Sequence, residues 1–362
     1  MTIASQFQFR TVADVSRTQA TTRTRVMSNW LFAVAGLVAL MVLVGGATRL
    51  TDSGLSITEW KPVTGAVPPL SLASWEAEFE KYKIIPEYAL VNQGMSLGEF
   101  KVIYWWEWGH RFLGRIIGLA FAGPLLLFAI RGWLTPKHGV LFGALLALGG
   151  AQGALGWWMV SSGLVDRVDV SQYRLAAHLG LAVFLLGALL WSALWLRGAF
   201  TGIDGTVRRP VAIGAVVLLV GVYGQIILGA FVAGLRAGAS YNTWPLMGGR
   251  FFPEFYFEGA PRLSALFESV AAVQFNHRLG AYVLTAAVVW FYVAARSTPL
   301  AHWGRAAIVV TGFQVALGIA TVVSAAHVPL ALAHQATAIL LYATAVVAAY
   351  GAIALRSNDK PS

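Results

Sequence analysis

No cysteine occurs among the 362 residues. That absence excludes disulfides, thiolate-bound zinc or copper, and iron–sulfur clusters ligated by this chain. Charge is scarce as well: 12% of residues are Asp, Glu, Lys or Arg, against about a quarter in soluble domains. Acidic residues are the rarer sign, 16 against 26 basic ones. What fills the chain instead is apolar, 57% hydrophobic with a mean hydropathy of +0.67. The composition is that of a polytopic membrane protein.

Apolar stretches of about 20 residues cross a bilayer as helices. Eight such stretches occur: Trp30–Ala47, Phe112–Ile130, Gly139–Val160, Leu175–Leu196, Val211–Ala233, Leu279–Ala295, Ala306–Ala325 and Val328–Leu355. Lipid dictates helices, because exposed strand edges leave backbone groups unpaired at several kcal/mol each. The net charge of +10 raises the question of a nucleic-acid partner, and the placement of the charges answers it. Arg10, Arg17, Arg23 and Arg25 precede the first span, and Arg131 and Lys137 lie between the second and third. Arg197, Arg208 and Arg209 follow the fourth, Arg296 and Arg305 the sixth, and Arg356 and Lys360 close the chain. Only Asp14, Asp204 and Asp359 share that side. This positive-inside pattern predicts cytoplasmic termini and needs no nucleic-acid surface. The polar arm 1–28 is too long before its first apolar run for a signal peptide. It fits a bacterial cytoplasmic arm, the preferred reading, or an Arg/Ser/Thr-rich transit peptide.

The chain also repeats itself. Gln274-Phe-Asn-His277-Arg278-Leu-Gly echoes Glu107-Trp-Gly-His110-Arg111-Phe-Leu-Gly, and Gln152…Gly156, Gln225…Gly229 and Gln314…Gly318 echo one another. Leu175-Ala-Ala-His178 echoes Ala331-Leu-Ala-His334 more loosely. The expected fold is therefore all-α, eight transmembrane helices as two tandem four-helix bundles. A cytoplasmic arm 1–28 and tail 357–362 flank an N-terminal half, 29–200, and a C-terminal half, 201–356. The first outer loop, about Thr51 to Glu107, carries most of the acidic residues, and its stretch Leu70–Tyr82 reads as an amphipathic surface helix. A Gly-, Pro- and aromatic-rich loop, Gly234 to Ala272, would roof the second bundle.

With the N-terminus inside, every even span begins at the outer surface. His110, His178, His277 and His334 then fall within about two turns of the starts of spans two, four, six and eight. Any one alone reads as an interfacial residue; four at repeated positions read as axial ligands for haem, His110 paired with His178 and His277 with His334. Zinc or copper, the rival, needs three or four converging ligands. His138 and His302 lie on the inner side, and His327, two turns before His334, has no counterpart and reads as structural or as a gate. Glu107 precedes His110 by three positions, while the matching residue before His277 is Gln274. Equal shapes with unequal proton chemistry point to reactivity in the first half and a redox cofactor in the second; a water-exposed interfacial glutamate is the competing reading. Arg49, Arg111, Arg174 and Arg278, near the same boundary, are candidates for haem propionates, with structural pairing to loop carboxylates as the rival. Trp105, Trp106, Trp108, Trp157 and Trp158 fit an aromatic belt.

Gly45-Gly-Ala-Thr-Arg49-Leu-Thr-Asp-Ser-Gly-Leu-Ser, Glu107-Trp-Gly-His110-Arg111, Gln225-Ile-Ile-Leu-Gly-Ala, Tyr241-Asn-Thr-Trp-Pro-Leu-Met and Asn276-His277-Arg278 closely resemble haem A synthase, in its cysteine-free mitochondrial and alphaproteobacterial branch. The resemblance covers nearly everything from the first span to the last. It implies an enzyme of the bacterial inner membrane (or mitochondrial inner membrane) that oxidises the C8 methyl of haem O to a formyl group by successive hydroxylations, giving haem A for terminal oxidases. It also implies that His277 and His334 ligate a resident haem b, that His110 and His178 flank the substrate haem, and that Glu107 takes the position of the family's important glutamate. Oxidising a methyl is the work of the iron or its oxidant, so the protein's share is orientation and proton management. A dihaem b-type electron-transfer cytochrome and a haem transporter or assembly chaperone are the rival classes. The electron donor, the oxidant, the oligomeric state and a complex with the haem O synthase stay open at this level.

Overall fold

The structure, a computed structural model, describes residues 12–357 apart from 260. Its helices in chain order are α1 (Val12–Leu50), α2 (Leu72–Lys83), α3 (Pro86–Leu90), α4 (Leu97–Ile130), α5 (Pro136–Val160), α6 (Gln172–Arg197), α7 (Arg209–Gly234), α8 (Ala265–Glu268), α9 (Val270–Ala295), α10 (Ala301–Val323) and α11 (Val328–Ser357). Among the described residues there is no strand, only an isolated bridge between Met247 and Arg250. Eight of these helices are long and apolar enough to cross a membrane. The arm expected over 1–28 is helical from Val12 onward as the start of α1; residues 1–11 and 358–362 lie outside the described residues.

Helix α9 begins at Val270, before the predicted Leu279, and two other boundaries differ from expectation for a local physical reason. Helix α4 begins at Leu97, well before the predicted Phe112, inside what read as loop. Ser96 caps it: its hydroxyl accepts from the Glu99 N–H, and the Glu99 carboxylate accepts from the Ser96 N–H at 2.8 Å. Phe100 and Tyr104 then recur at helical spacing and bury against α2. As a result His110 lies 13 residues into α4 rather than near its start. At the other boundary, α10 stops at Val323, because Ala325 and Ala326 take left-handed φ values of 55° and 62°, which no L-residue sustains in a helix.

The amphipathic segment predicted at Leu70–Tyr82 is α2. Ser71 caps it in a reciprocal pair with Ser74, and Trp75, Phe79 and Tyr82 form its buried stripe. That stripe meets α4 in edge-on and stacked ring pairs, Trp75 with Tyr104 at 5.0 Å and Phe79 with Phe100 at 4.8 Å. The loop is thus anchored to the helix that carries His110.

Helices α1, α4, α5 and α6 pack in a ring, α1 on α4 and α6 and α5 on its two neighbours. Helices α7, α9, α10 and α11 pack in a second ring, and between the two α6 meets α7 and α11 while α1 meets α11. The central helices are α6 and α11, with 61% of their apolar windows buried against 11% for α4, α5 and α10. Close approach there needs glycine: a Cβ on Gly187 would overlap the Tyr342 ring. One apolar core runs through both rings, with Leu31, Val183, Leu189, Leu218, Phe291 and Leu341 in its depths.

Candidate functional site

Each of the four predicted histidines sits against a glycine of a neighbouring helix. A Cβ on Gly156 would lie 2.9 Å from Cε1 of His178, one on Gly229 3.2 Å from Cε1 of His277, and one on Gly318 2.9 Å from Cε1 of His334. On Gly45 it would lie 2.9 Å from Nε2 of His110. Any larger residue at these positions would push the imidazole out of its seat.

Four residues before each of three of these glycines stands a glutamine, and each touches the histidine its glycine seats. Gln152 Nε2 donates to the His178 carbonyl at 3.0 Å and lies 3.2 Å from its Nδ1. Gln225 Nε2 donates to the His277 carbonyl at 2.8 Å and lies 3.0 Å from its Nδ1. Gln314 Nε2 lies 3.3 Å from His334 Nε2. Sequence reasoning saw these Gln-x-x-x-Gly segments only as markers of the repeat; their recurrence was the available signal that they build the site.

The second ring brings its two histidines together, with ring centres 6.4 Å apart and planes at 81°. Two imidazoles on opposite sides of one metal ion, with metal–nitrogen bonds of about 2 Å, have ring centres about 6 Å apart. His334 Nδ1 is 3.1 Å from the Gln314 backbone carbonyl oxygen, which only accepts, so Nδ1 donates and Nε2 carries the lone pair, facing the Gln314 side-chain amide at 3.3 Å. The donor set and spacing therefore fit a haem held by two imidazoles. Among the described residues no group of three or more His, Cys, Asp or Glu converges to hold a metal ion, which leaves a zinc or copper cage without ligands.

Glu107 is 2% exposed, not the water-facing glutamate that competed in the sequence. Its Oε2 accepts from the Ser56 hydroxyl at 2.8 Å and the Ile57 N–H at 2.7 Å; its Oε1 accepts from Arg111 Nε at 3.1 Å and Nη2 at 2.5 Å. Arg111 also donates to the carbonyls of Ile57 and Glu59. Glu107 and Arg111 together clamp the first loop onto α4, one turn from His110. In the second ring Gln274 does the same work with reversed polarity: its Nε2 donates to the carbonyls of Ala237 and Tyr241, and its Oε1 accepts from Arg278 at 3.1 Å. Arg278 donates on to the Thr243 and Tyr241 carbonyls at 2.8 Å.

The other arginines divide by partner. Arg49 faces Asp52 and Asp169, and Arg236 grips Asp169 through two bonds of 2.8 and 2.9 Å, so these four residues tie the loop ends of the two rings together. Arg174 donates to the Trp158 carbonyl and lies over its ring at 4.6 Å. Neither Arg174 nor Arg278 has a carboxylate partner among the described residues, and Arg278 Nε is buried with no hydrogen bond at all.

His138 is a capping partner of Thr135 at the start of α5, and His327 immediately precedes α11 rather than lying on its face; its carbonyl accepts from Ala331. In the first loop a buried carboxyl went unnoticed in the sequence. Glu87 is 5% exposed, and burial pushes it up to about 7, with the nearby acids Glu107, Asp52 and Asp169 adding to the rise and the Tyr82 hydroxyl, donating at 3.1 Å, opposing it.

Residues 28–346 match the cytochrome oxidase assembly protein family, COX15-CtaA. A protein of Parvibaculum lavamentivorans named heme A synthase is 54% identical over 88% of this chain and 91% of its own length. Heme A synthases of Maricaulis maris and Agrobacterium fabrum are 48% and 51% identical, over 92% and 88% of this chain and 98% and 87% of their own. With its eight membrane-spanning helices and paired histidines, the chain belongs to the COX15-CtaA family of cytochrome oxidase assembly proteins.

Proposed function

We propose that this chain is a haem A synthase, oxidising the C8 methyl of haem O to a formyl group by successive hydroxylations. The observation that carries the reading is the pair of histidine seats, one in each ring of helices, in a chain about half identical to heme A synthases over most of its length. The C-terminal half, 201–356, is the place for a resident haem b between His277 and His334, favoured by the 6.4 Å ring spacing and the Nδ1–H form of His334. When bound there, haem b supplies one-electron redox chemistry. The N-terminal half, 29–200, takes substrate haem O between His110 and His178.

The chain's own residues then divide the remaining tasks. Arg278 and Arg174, which have no acidic partner among the described residues, are the candidates left for propionates, whereas Arg49 and Arg111 hold protein carboxylates. Glu107 is the group that manages protons or developing positive charge in the first half; it is a buried anion one turn from His110, opposite a neutral amide in the second half. The loop segment Ser56–Glu59, held by Glu107 and Arg111, excludes water above it. The basic segments between alternate spans favour cytoplasmic termini, placing these loops on the outer face of a bacterial inner membrane. A haem O synthase handing over so apolar a substrate, an electron donor and a second copy of this chain are the partners this reading admits.

A haem inventory tests it. The protein is expressed with a haem O supply, purified in detergent, and its extracted haems are separated by reverse-phase chromatography. Haem b together with haem O, its hydroxylated form or haem A is expected. Haem b alone, unchanged by added haem O, would match an electron-transfer cytochrome and overturn the proposal.

A further inference from the structure

Three of the four histidines have a glutamine partner on a neighbouring helix; among the described residues His110 has none. The position that would supply it is occupied by Met41, four residues before Gly45, as Gln225 stands four before Gly229. The two side chains occupy equivalent places. A Cβ on Gly280, one turn beyond His277, would overlap Gln225 Oε1; a Cβ on Gly114, one turn beyond His110, would lie 3.3 Å from Met41 Cε. Among the described residues no hydrogen bond reaches the His110 ring.

The ring orientation follows. His178, His277 and His334 present Cε1 to their glycines, while His110 turns Nε2 and Cδ2 toward Gly45, at 2.9 and 3.4 Å. A thioether has no hydrogen to donate and is a weak acceptor, so it can neither fix the ring's rotation nor choose its protonated nitrogen. The glutamine amides do hold the rotation, since each Nε2 meets a ring nitrogen of its histidine, and losing a polar partner of a ligand imidazole typically weakens metal affinity about 10–100-fold.

We propose that Met41 is a positioning residue that leaves the His110 ring without a hydrogen-bonded partner, so that the first-half haem is held by one fixed ligand, His178, and one loose ligand, and can be exchanged. Gln225 and Gln314 do the opposite in the second half, where both ligands are fixed and the haem stays. An enzyme whose substrate and product are both haems needs one position that releases and one that does not. This inference rests on the assignment of the two halves given above.

The test is haem release from the intact protein, loaded in cells supplied with haem O and then mixed in detergent with excess apomyoglobin. The transfer is followed optically, and the haems left on the protein are separated by chromatography. The wild type should show a fast fraction of haem O or A and a slow fraction of haem b. Met41→Gln should slow the fast fraction about 10–100-fold and leave the slow one unchanged. Gln225→Met should speed the slow fraction by a similar factor and spare the fast one. Met41→Leu, with the same volume and no donor, should release like the wild type. Release from Met41→Gln at the wild-type rate, or equal slowing by Met41→Leu, would overturn the role of Met41. His110→Ala separates the two levels: if the fast fraction survives it unchanged, the assignment of the halves is wrong and the inference falls with it.

Discussion

At corresponding turns of α4 and α9, one ring of helices places Glu107 beside Arg111 and the other places Gln274 beside Arg278. Both pairs clamp an adjoining loop, and the choice of acid or amide follows what each loop offers. The first presents donors, the Ser56 hydroxyl and Ile57 N–H; the second presents acceptors, the carbonyls of Ala237 and Tyr241. A carboxylate only accepts, whereas an amide can do both. The exchange has an electrostatic result beyond the clamp: Arg111 is neutralised by its neighbour, while Arg278 keeps a positive charge with no acidic partner among the described residues. Two scaffolds with one set of contacts thus differ in the charge left at this turn.

The comparison breaks most visibly at the ligands. His277→Ala should strip the resident haem from the purified protein, with a loss of affinity of at least about 100-fold, the upper range for weakening a ligand indirectly. His110→Ala should leave that haem in place and remove only the exchangeable fraction. Haem-to-protein ratios decide, and loss of both haems in either variant would show that the rings are not independent sites.

Smaller effects test the clamps. Glu107→Gln leaves Arg111 without its counter-charge and sets an amide donor against the donors of Ser56 or Ile57, so a loss of about 3 kcal/mol is expected, near the lower end for breaking a buried pair. Haem should still be bound while conversion of haem O stalls; full conversion would end the case for Glu107. Gln274→Glu loses two neutral hydrogen bonds of about 1 kcal/mol each but gains an ion pair with Arg278, so its loss should be closer to 1 kcal/mol. Thermal unfolding in detergent measures both, and equal losses would contradict the account from loop polarity.

A pH effect arises in the first loop. Glu87 keeps its proton in the folded loop until about pH 7, whereas in the unfolded chain it loses it near its ordinary value of 4.5. Between those values the folded state binds more protons, so stability falls as pH rises from about 4.5 to 7 and levels off above, by up to about 3 kcal/mol. Burial is the first cause, so Glu87→Gln should flatten that slope, as read by hydrogen exchange in α2 and α3. A slope unchanged by the substitution would assign it to another group.

Much of this was legible in one dimension. Spans set by apolar length came within a few residues except at the starts of α1, α4 and α9; at α4 the Leu97–Trp106 stretch is amphipathic and aromatic and no hydropathy window sees it, and its Ser96–Glu99 capping pair was the signal overlooked. The four histidines and the Glu107/Gln274 substitution were equally plain, being repeated local patterns. Which candidate arginines meet a carboxylate was not, because that depends on what lies across the fold: Arg49 meets Asp169 through a loop of the same half, and Arg236 joins them from the other. Nor was the glutamine set, since Gln225 reaches a histidine 52 positions away and Gln335 reaches the Val42 carbonyl across 293.

By itself the sequence determined how many times the chain crosses a membrane and which histidines recur, since hydrophobic length and repeat spacing are properties of neighbours along the chain. Only the tertiary structure decided which donors face Glu107, and which arginines and which imidazole lack a polar or acidic partner among the described residues. Those are properties of groups brought together by helix packing, where a missing Cβ or a thioether in place of an amide changes what the opposite helix can hold.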